Sequence, residues 1–234
     1  MSIRVFPGEK LALFGENGAG KTTLLKIIAT FLLPDEGKVM LDGIDVIRNA
    51  KYARKNISIA TGVERSFYYR LSVKENLRLF GMLNGLVGRI LKFRVEEVIK
   101  RLGLEDYKKI KYMELSKGLK RRLDIARALL KDVKVYIFDE PNAGVDMTTR
   151  LKIYEIMDEL SREGKMVLIA THDPEDLRQM DRIAMLKNGK KVEEVTAKDA
   201  VDSRTVCKLV YLIHQKYDRS DTRSFIPGGG FHNI

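Results

Sequence analysis

The sequence predicts an α/β fold with a mainly parallel sheet flanked by helices. Short runs of β-forming residues alternate with amphipathic helical stretches along the 234 residues. Two of these runs, residues 133–138 and 166–170, are almost continuously apolar, as expected for strands that helices cover on both faces. A glycine-rich segment at residues 15–22 joins an apolar run to a helical stretch. Together these observations favour an α/β fold built around a phosphate-binding loop.

The composition excludes several classes of protein. With 44% hydrophobic and 32% charged residues, the chain can bury a substantial core, and disorder is not the default. No apolar run reaches the roughly 18 residues that span a bilayer, so we expect a cytoplasmic protein. The formal charge of +11 invites anionic neighbours. Nucleotide, anionic lipid head groups and nucleic acid all satisfy that charge, and so does a solvated surface of mixed charges.

Five strands are predicted along the chain. They cover residues 10–14, 57–60, 133–138, 166–170 and 182–186. Asn188 and Gly189 follow the last of these, and this pair between two extended runs is typical of a type I′ hairpin turn. Gly164 follows a helical run over residues 148–163 and is expected to end that helix in the left-handed conformation.

Residues 72–131 show helical periodicity without convincing strands, which indicates an inserted helical subdomain. Ser72 and Glu75 match a capping box, so a helix is predicted from there toward Asn84. The predicted division of the chain is a core with the glycine-rich segment over residues 1–71 and 132–195, the helical subdomain over 72–131, and a C-terminal extension with a mobile tail over 196–234.

The glycine-rich segment matches GxxxxGK[ST], the pattern of a phosphate-binding loop. Its glycines let backbone N–H groups point into one concavity, and the following helix adds the positive end of its dipole. Lys21 is expected to reach the β- and γ-phosphates, and the Thr22 hydroxyl to hold Mg²⁺. A turn without function would not explain why Lys and Thr close the loop. The predicted nucleotide-binding residues are Gly15, Asn17, Gly18, Ala19, Gly20, Lys21, Thr22 and Thr23.

Two carboxylates, Asp139 and Glu140, follow the apolar residues 135–138. Ligands collect at the carboxyl ends of strands in an α/β sheet, so both acids are expected to face the phosphate loop. Asp139 is predicted to hold Mg²⁺, directly or through water, and Glu140 to polarise the water that attacks the γ-phosphate. Taken alone the pair would favour a solvated strand end, but a phosphate loop in the same chain favours catalysis.

His172 follows the next apolar run. A lone histidine is usually structural or exposed. At the end of a strand beside the two carboxylates, however, a ring N–H could hydrogen-bond the γ-phosphate and report its presence. We therefore expect Glu140 and His172 to be the catalytic residues.

A further segment, Leu-Ser-Lys-Gly-Leu at residues 115–119, completes a set that resembles the motifs of the ATP-binding cassette (ABC) ATPases, the nucleotide-binding subunits of ABC transporters. The order and spacing match up to about residue 195, and the combination is far more specific than any one motif. The similar segments are residues 15–22 for Walker A, 115–119 for the LSGGQ signature, 136–140 for Walker B, 141–146 for the D-loop and His172 for the switch histidine.

The resemblance implies a P-loop NTPase fold, binding of ATP with Mg²⁺, and hydrolysis coupled to transport. It implies that Ser116, Lys117 and Gly118 close on the ATP held by a second chain, with Asp146 in the D-loop, so that two ATP molecules hold a head-to-tail dimer. Loss of the γ-phosphate would then open the dimer. A plain helix N-cap is another role for Ser116, and the two roles are compatible.

Two features depart from the family's pattern. Family members usually carry a glutamine at the position of Gly62, where it touches Mg²⁺ and couples to the membrane subunit, and Glu64 could take part of that role. Residues 61–72 instead resemble the exporter subunits that work with ABC-2 type membrane proteins. Family members also have two further antiparallel strands, with an aromatic that stacks on adenine, before the segment matching residues 3–7. These strands are expected to be truncated here, and a mis-assigned start codon would explain this equally well.

The leading functional hypothesis is an ATPase subunit that dimerises on ATP and powers a separate transmembrane permease, most simply an exporter. The aromatic and basic residues 67–70 and the helical subdomain are predicted to face that permease, although the aromatic side chains could equally pack on the subdomain. Homodimer and heterodimer are both open. We expect the protein to lie on the inner face of the cell membrane.

The main alternative is a soluble ABC ATPase that acts on nucleic acid or ribosomes, which the +11 charge permits. Such proteins commonly carry two cassettes in one chain or long coiled-coil insertions, and neither is present in this sequence. A non-hydrolysing regulatory cassette is a third possibility, but intact Glu140 and His172 argue against it.

Overall fold

A computed structural model, which describes residues 1–62 and 67–196, contains a central six-stranded sheet. Its strands run in the order β4-β5-β6-β1-β7-β8, and β2 and β3 form a separate antiparallel pair. In chain order the strands are β1 (Lys10–Phe14), β2 (Met40–Leu41), β3 (Ile44–Asp45), β4 (Ile57–Ala60), β5 (Val135–Asp139), β6 (Met166–Thr171), β7 (Arg182–Lys187) and β8 (Lys190–Thr196). Every neighbouring pair in the central sheet is parallel except β7 and β8. The predicted mainly parallel α/β fold is therefore confirmed.

Seven α-helices connect and cover the strands within the described part of the chain. They are α1 (Lys21–Ile28), α2 (Ala50–Asn56), α3 (Val73–Leu83), α4 (Gly88–Arg101), α5 (Lys117–Leu129), α6 (Met147–Arg162) and α7 (Pro174–Leu177), with a short 3-10 helix at Tyr112–Glu114. None of these helices is long and apolar enough to cross a bilayer.

Hydrophobic cores lie on both faces of the sheet. In β1, Leu11 and Leu13 join one cluster of buried side chains, whereas Ala12 and Phe14 join the other. Such alternation follows from the two-residue repeat of a strand. Since both faces are covered, the central strands are apolar along their whole length, which is the pattern that predicted β5 and β6.

Local signals in the sequence fix several element ends. The Ser72 hydroxyl caps α3 and the Glu75 carboxylate reaches back to the Ser72 N–H, which confirms the capping box. Asn188 and Gly189 have φ values of 50° and 74°, as a type I′ turn requires. Gly164 follows α6 with a φ of 76°. The strand pair β2 and β3 and helix α2 were not predicted, although Asp42 and Gly43 form a typical type I′ turn between the strands and Asn49 caps the helix.

The aromatic residues before α3 divide into two groups. Phe67 is only 4% exposed and stacks on Tyr112 with their ring centroids 4.9 Å apart. Of the two roles that the sequence left open for Phe67, the structure supports packing on the subdomain, because the ring contacts Phe80 of α3 and Tyr112. Tyr68 and Tyr69 remain 55% and 48% exposed.

Candidate active site

Strand register brings three loops to one edge of the sheet. Phe14 at the end of β1 pairs with Thr171 of β6, and Ala170 of β6 pairs with Asp139 of β5. The residues that follow these three strands therefore leave the sheet side by side. The phosphate loop, the Asp139 and Glu140 pair, and His172 share this edge.

Close packing explains the glycines of the phosphate loop. A Cβ atom on Gly15 would lie 2.4 Å from the Leu186 carbonyl oxygen, so no side chain fits there. Gly18 and Gly20 have φ values of 84° and 96°, in the region that favours glycine. The Gly189 N–H, in the turn between β7 and β8, donates to the Ala19 carbonyl at 3.1 Å and anchors the loop to this hairpin.

The loop ends at the N-terminus of α1, where Gly20 provides no capping side chain. The first N–H groups of this helix are therefore available to an anion. Lys21 is buried, and its Nζ donates to the carbonyls of Gly15 at 2.6 Å and Glu16 at 3.1 Å. The ammonium thus lies within the curve of the loop, while Asn17 and Thr23 are exposed at its rim.

Thr22 and Asp139 meet beside this loop. The Thr22 hydroxyl donates to Asp139 Oδ1 at 3.0 Å, and Asp139 is 7% exposed. Burial raises the pKa of the Asp139 carboxyl above its ordinary value, the Thr22 hydrogen bond opposes this shift, and the Glu140 carboxylate adds to it. A hydroxyl and a carboxylate at hydrogen-bond distance are the oxygen donors that suit Mg²⁺.

Glu140 lies between Lys21 and His172. Its Oε1 is 3.5 Å from Lys21 Nζ, and its Oε2 is 2.9 Å from His172 Nδ1. The Glu140 N–H donates to the Ala170 carbonyl, and the Glu140 carbonyl accepts from Arg121 Nη2 at 2.9 Å. The structure thus brings together both predicted catalytic residues, and it adds a direct contact between them that the sequence did not indicate.

A buried network supports the loops that carry these groups. Asp176 is 1% exposed and accepts hydrogen bonds from Asn142 Nδ2, the Tyr154 hydroxyl and the Thr171 hydroxyl, at 2.7, 2.7 and 2.5 Å. Asn142 follows Glu140 by two residues, and Thr171 immediately precedes His172. The network therefore couples the two loops from which Glu140 and His172 project. Asp176 was not predicted, because no sequence pattern indicated that it contacts the loops that carry Glu140 and His172.

The predicted signature and D-loop residues form a second group. Ser116 caps α5 by accepting from the Leu119 N–H at 3.2 Å, and Asp146 caps α6 by accepting from the Thr149 N–H at 2.8 Å. The latter hydrogen bond lowers the pKa of Asp146. A Cβ atom on Gly118 would lie 2.8 Å from Asp146 Oδ2, so the starts of the two helices touch. The Lys117 ammonium occupies the space where a Cβ atom on Gly144 would lie.

Arg121 fills the space beside Gly62. A Cβ atom at position 62 would lie 2.1 Å from Arg121 Nη1, and the Gly62 N–H donates to Asp124 Oδ2 at 2.8 Å. Arg121 and Asp124 are three residues apart in α5 and therefore lie on one helix face. This spacing was the only feature of the sequence that could have indicated that they act together. Glu64, which was expected to take part of the glutamine's role, lies outside the described residues.

A family profile described as "ABC transporter" matches residues 1–143. The chain belongs to the ABC transporter family. It is an ATP-binding subunit and an ABC-type ATPase, as the motifs predicted, and the comparisons give no support to the alternative of a nucleic-acid or ribosome ATPase.

Individual relatives agree with this assignment. The ABC transporter ATP-binding protein NatA of Bacillus subtilis is 34% identical over 94% of this chain and 89% of its own length. The Nod factor export ATP-binding protein I of Rhizobium etli is 33% identical over 90% of this chain and 66% of its own length. The solved dimer of the ATP-binding cassette MJ0796 with ADP and Pi has a TM-score of 0.75 and 29% identity, and covers 83% of this chain and 88% of its own.

Proposed function

We propose that this ABC ATPase binds ATP on the phosphate loop and hydrolyses it with Glu140 and His172. The observation that carries the proposal is the position of the Glu140 carboxylate, which lies 3.5 Å from the Lys21 ammonium and 2.9 Å from His172 Nδ1. A candidate base, Glu140, therefore lies beside a cation that can bind phosphate, Lys21, and beside His172. The nucleotide-binding residues are Gly15, Asn17, Gly18, Ala19, Gly20, Lys21, Thr22 and Thr23.

Mg²⁺ would be held by Thr22 and Asp139. Their oxygen atoms are already 3.0 Å apart, and the remaining positions of a magnesium ion are commonly filled by phosphate oxygens and water. When bound, Mg²⁺ neutralises charge on the phosphate oxygens. The raised pKa of Asp139 reflects the cost of a buried carboxylate, which a bound cation would offset.

Hydrolysis requires a nucleophilic water and a group to accept its proton. Glu140 is half-buried and can orient this water and take the proton on its carboxylate. His172 fixes the Glu140 carboxylate through Nδ1 and is exposed enough, at 51%, to contact the γ-phosphate as well. Lys21 supplies positive charge at the β- and γ-phosphates.

A second chain completes each site. The N-terminus of α5, capped by Ser116, is a second place for an anion in a chain that already has one. In a head-to-tail dimer with two-fold symmetry, Ser116, Lys117 and Gly118 of one chain close on the γ-phosphate held by the other, with the Asp146 loop beside them. Loss of that phosphate removes the contact and lets the dimer open.

The dimer drives a separate transmembrane permease, and we propose export as the direction of transport because one relative is the Nod factor export ATP-binding protein I. Residues 1–71 and 132–195 form the ATP-binding core, residues 72–131 the helical subdomain and residues 196–234 a C-terminal extension. Exposed Tyr68 and Tyr69 beside α3 offer side chains for the permease at the inner face of the cell membrane.

The direct test of the catalytic assignment is Glu140→Gln. Removing the proton acceptor should lower ATP turnover by at least about a hundredfold, while ATP binding persists because a glutamine keeps the shape of the side chain. Glu36→Gln on the exposed surface is the matched control and should turn over ATP like the wild type. Unchanged turnover in Glu140→Gln would refute the role of this carboxylate.

The transport assignment is tested separately by mild-detergent purification from native membranes, followed by mass spectrometry. A multi-spanning protein that is retained with the chain supports the permease. Retention of ribosomal proteins or nucleic acid without such a protein would favour the alternative soluble ATPase.

A further inference from the structure

The hairpin formed by α3 and α4 presents a cluster of large apolar side chains to solvent. We call this cluster the hairpin tip. Its members are Met82 at 51%, Leu83 at 69%, Val87 at 70%, Ile90 at 66% and Phe93 at 70% exposed. Single exposed apolar residues are ordinary, but five of them between residues 82 and 93, around the turn of a helical hairpin, indicate a contact surface.

Core packing does not account for the hairpin tip. Helix α4 already buries Leu91, Val95, Val98 and Ile99 against the rest of the molecule. Ile90 and Phe93 stand three residues apart on a different face of the same helix, so α4 is apolar on two faces. A helix of this kind needs something apolar on its outer face as well.

The charges around the hairpin tip have one sign. No Asp or Glu occurs between Glu75 and Glu96, whereas Arg78, Arg89, Lys92 and Arg94 do. Arg94 is paired with Glu97, and the nearby carboxylate of Glu96 is paired with Lys74. Among the described residues, Arg78, Arg89 and Lys92 make no ion pair.

Two of these three cations, Arg78 and Lys92, also border a cleft between the two helices. The cleft has a volume of about 230 Å³ and is lined by Lys74, Arg78, Gly88, Leu91, Lys92 and Val95. Its rim is positively charged and its floor is apolar. A phospholipid complements this cleft, because its phosphate is negatively charged and its acyl chain is apolar.

We propose that the hairpin tip docks on the head groups of anionic phospholipids, with its apolar side chains between them and Arg78, Arg89 and Lys92 on their phosphates. The hairpin turns at Asn84 and Gly85, and it carries apolar and cationic side chains together, which is the combination that binds at an anionic lipid surface. The proposal rests on the proposed work of this ATPase beside a membrane. It would give the subunit a contact with the bilayer in addition to its permease.

Flotation of the purified full chain with lipid vesicles tests the proposal. The probe is vesicles made of equal parts phosphatidylglycerol and phosphatidylcholine, compared with phosphatidylcholine alone. The wild type should float with the anionic vesicles, and binding should fall as salt is raised, because surface charges are screened. Neutralising Arg89 and Lys92 together to alanine should weaken binding roughly 25-fold, since each cation near such a surface contributes about fivefold.

The double variant Ile90→Ser and Phe93→Ser should lose flotation by removing the apolar contact. Lys38→Ala with Lys51→Ala, and Phe31→Ser with Leu33→Ser, change exposed residues elsewhere and are the matched controls, which should float like the wild type. The ATP turnover of every variant is measured without lipid, so a folding defect or a failed ATPase assignment is seen separately.

Two results would overturn the proposal. One is a wild-type chain that does not float with anionic vesicles, which would leave a protein or a second copy as the occupant of the tip. The other is equal flotation by the hairpin variants and the wild type, because another part of the chain would then carry the binding.

Discussion

At the scale of single residues, Glu140 has an unusual backbone. Its φ of 48° lies in the left-handed region that residues other than glycine seldom adopt. The Ala170 carbonyl and the Arg121 guanidinium hold its peptide groups, and Lys21 and His172 flank its carboxylate. Backbone strain of this kind persists where surrounding contacts fix it, and it concentrates at functional sites.

Asp139 gives a prediction about pH and stability. Because its pKa is raised in the folded chain, ionisation opposes folding, and stability falls as pH rises from 3.8 through the folded pKa. Asp139→Asn removes this penalty, so without nucleotide or Mg²⁺ the variant should have a larger free energy of unfolding at about pH 7. Urea unfolding across a pH series should find the difference shrinking toward pH 3.8. A difference that is independent of pH would contradict the burial argument.

Gly62 gives a second prediction at this scale. Both Gly62 and Gly43 have positive φ values, 66° and 76°, but only at Gly62 would a Cβ meet Arg121. In Gly62→Ala, Arg121 must turn aside and give up its hydrogen bond to the Glu140 carbonyl. The variant should lose about 1 kcal/mol more of unfolding free energy than Gly43→Ala, and more ATP turnover. Equal losses in the two variants would mean that Arg121 does not support Glu140.

At the scale of elements, two serines cap helices, and only one of them is also proposed to contact the partner's ATP. Ser72 caps α3 and Ser116 caps α5, so replacing either by alanine should cost about 1 kcal/mol of unfolding free energy. Ser116→Ala should also weaken ATP-dependent dimerisation, because its hydroxyl is proposed to face the partner's γ-phosphate. Chemical unfolding and analytical ultracentrifugation give the two readouts. The same dimerisation in both variants would reduce Ser116 to a helix cap.

Elements with long apolar runs or a capping box were predicted from the sequence, and very short elements or packing over long sequence distances were not. β5 and β6 followed from their apolar runs, and α3 followed from its capping box. The short pair β2 and β3 has two residues in each strand, too few for a periodic pattern. The role of Phe67 stayed open in the sequence because its burial depends on Tyr112, 45 residues further along the chain.

At the scale of the whole molecule, strand order assembles the site. β5, β6 and β1 are neighbours in the sheet although β1 comes first in the chain. The motifs indicated which residues belong to the site, and the rule that ligands lie at strand ends indicated the edge. The Glu140 to His172 contact and the Asp176 network depend on the pairing of β5 with β6, which α6 separates in the chain, so no local pattern could reveal them.

The central claim is that ATP joins two of these chains through the phosphate loop of one and the signature residues of the other. The most direct measurement is sedimentation velocity of Glu140→Gln with ATP and Mg²⁺, and again with ADP. Slow hydrolysis should leave the ATP-bound variant as a dimer, and ADP should leave it as a monomer, because the γ-phosphate provides the contact. A Glu140→Gln chain that is saturated with ATP and still sediments as a monomer would contradict the claim.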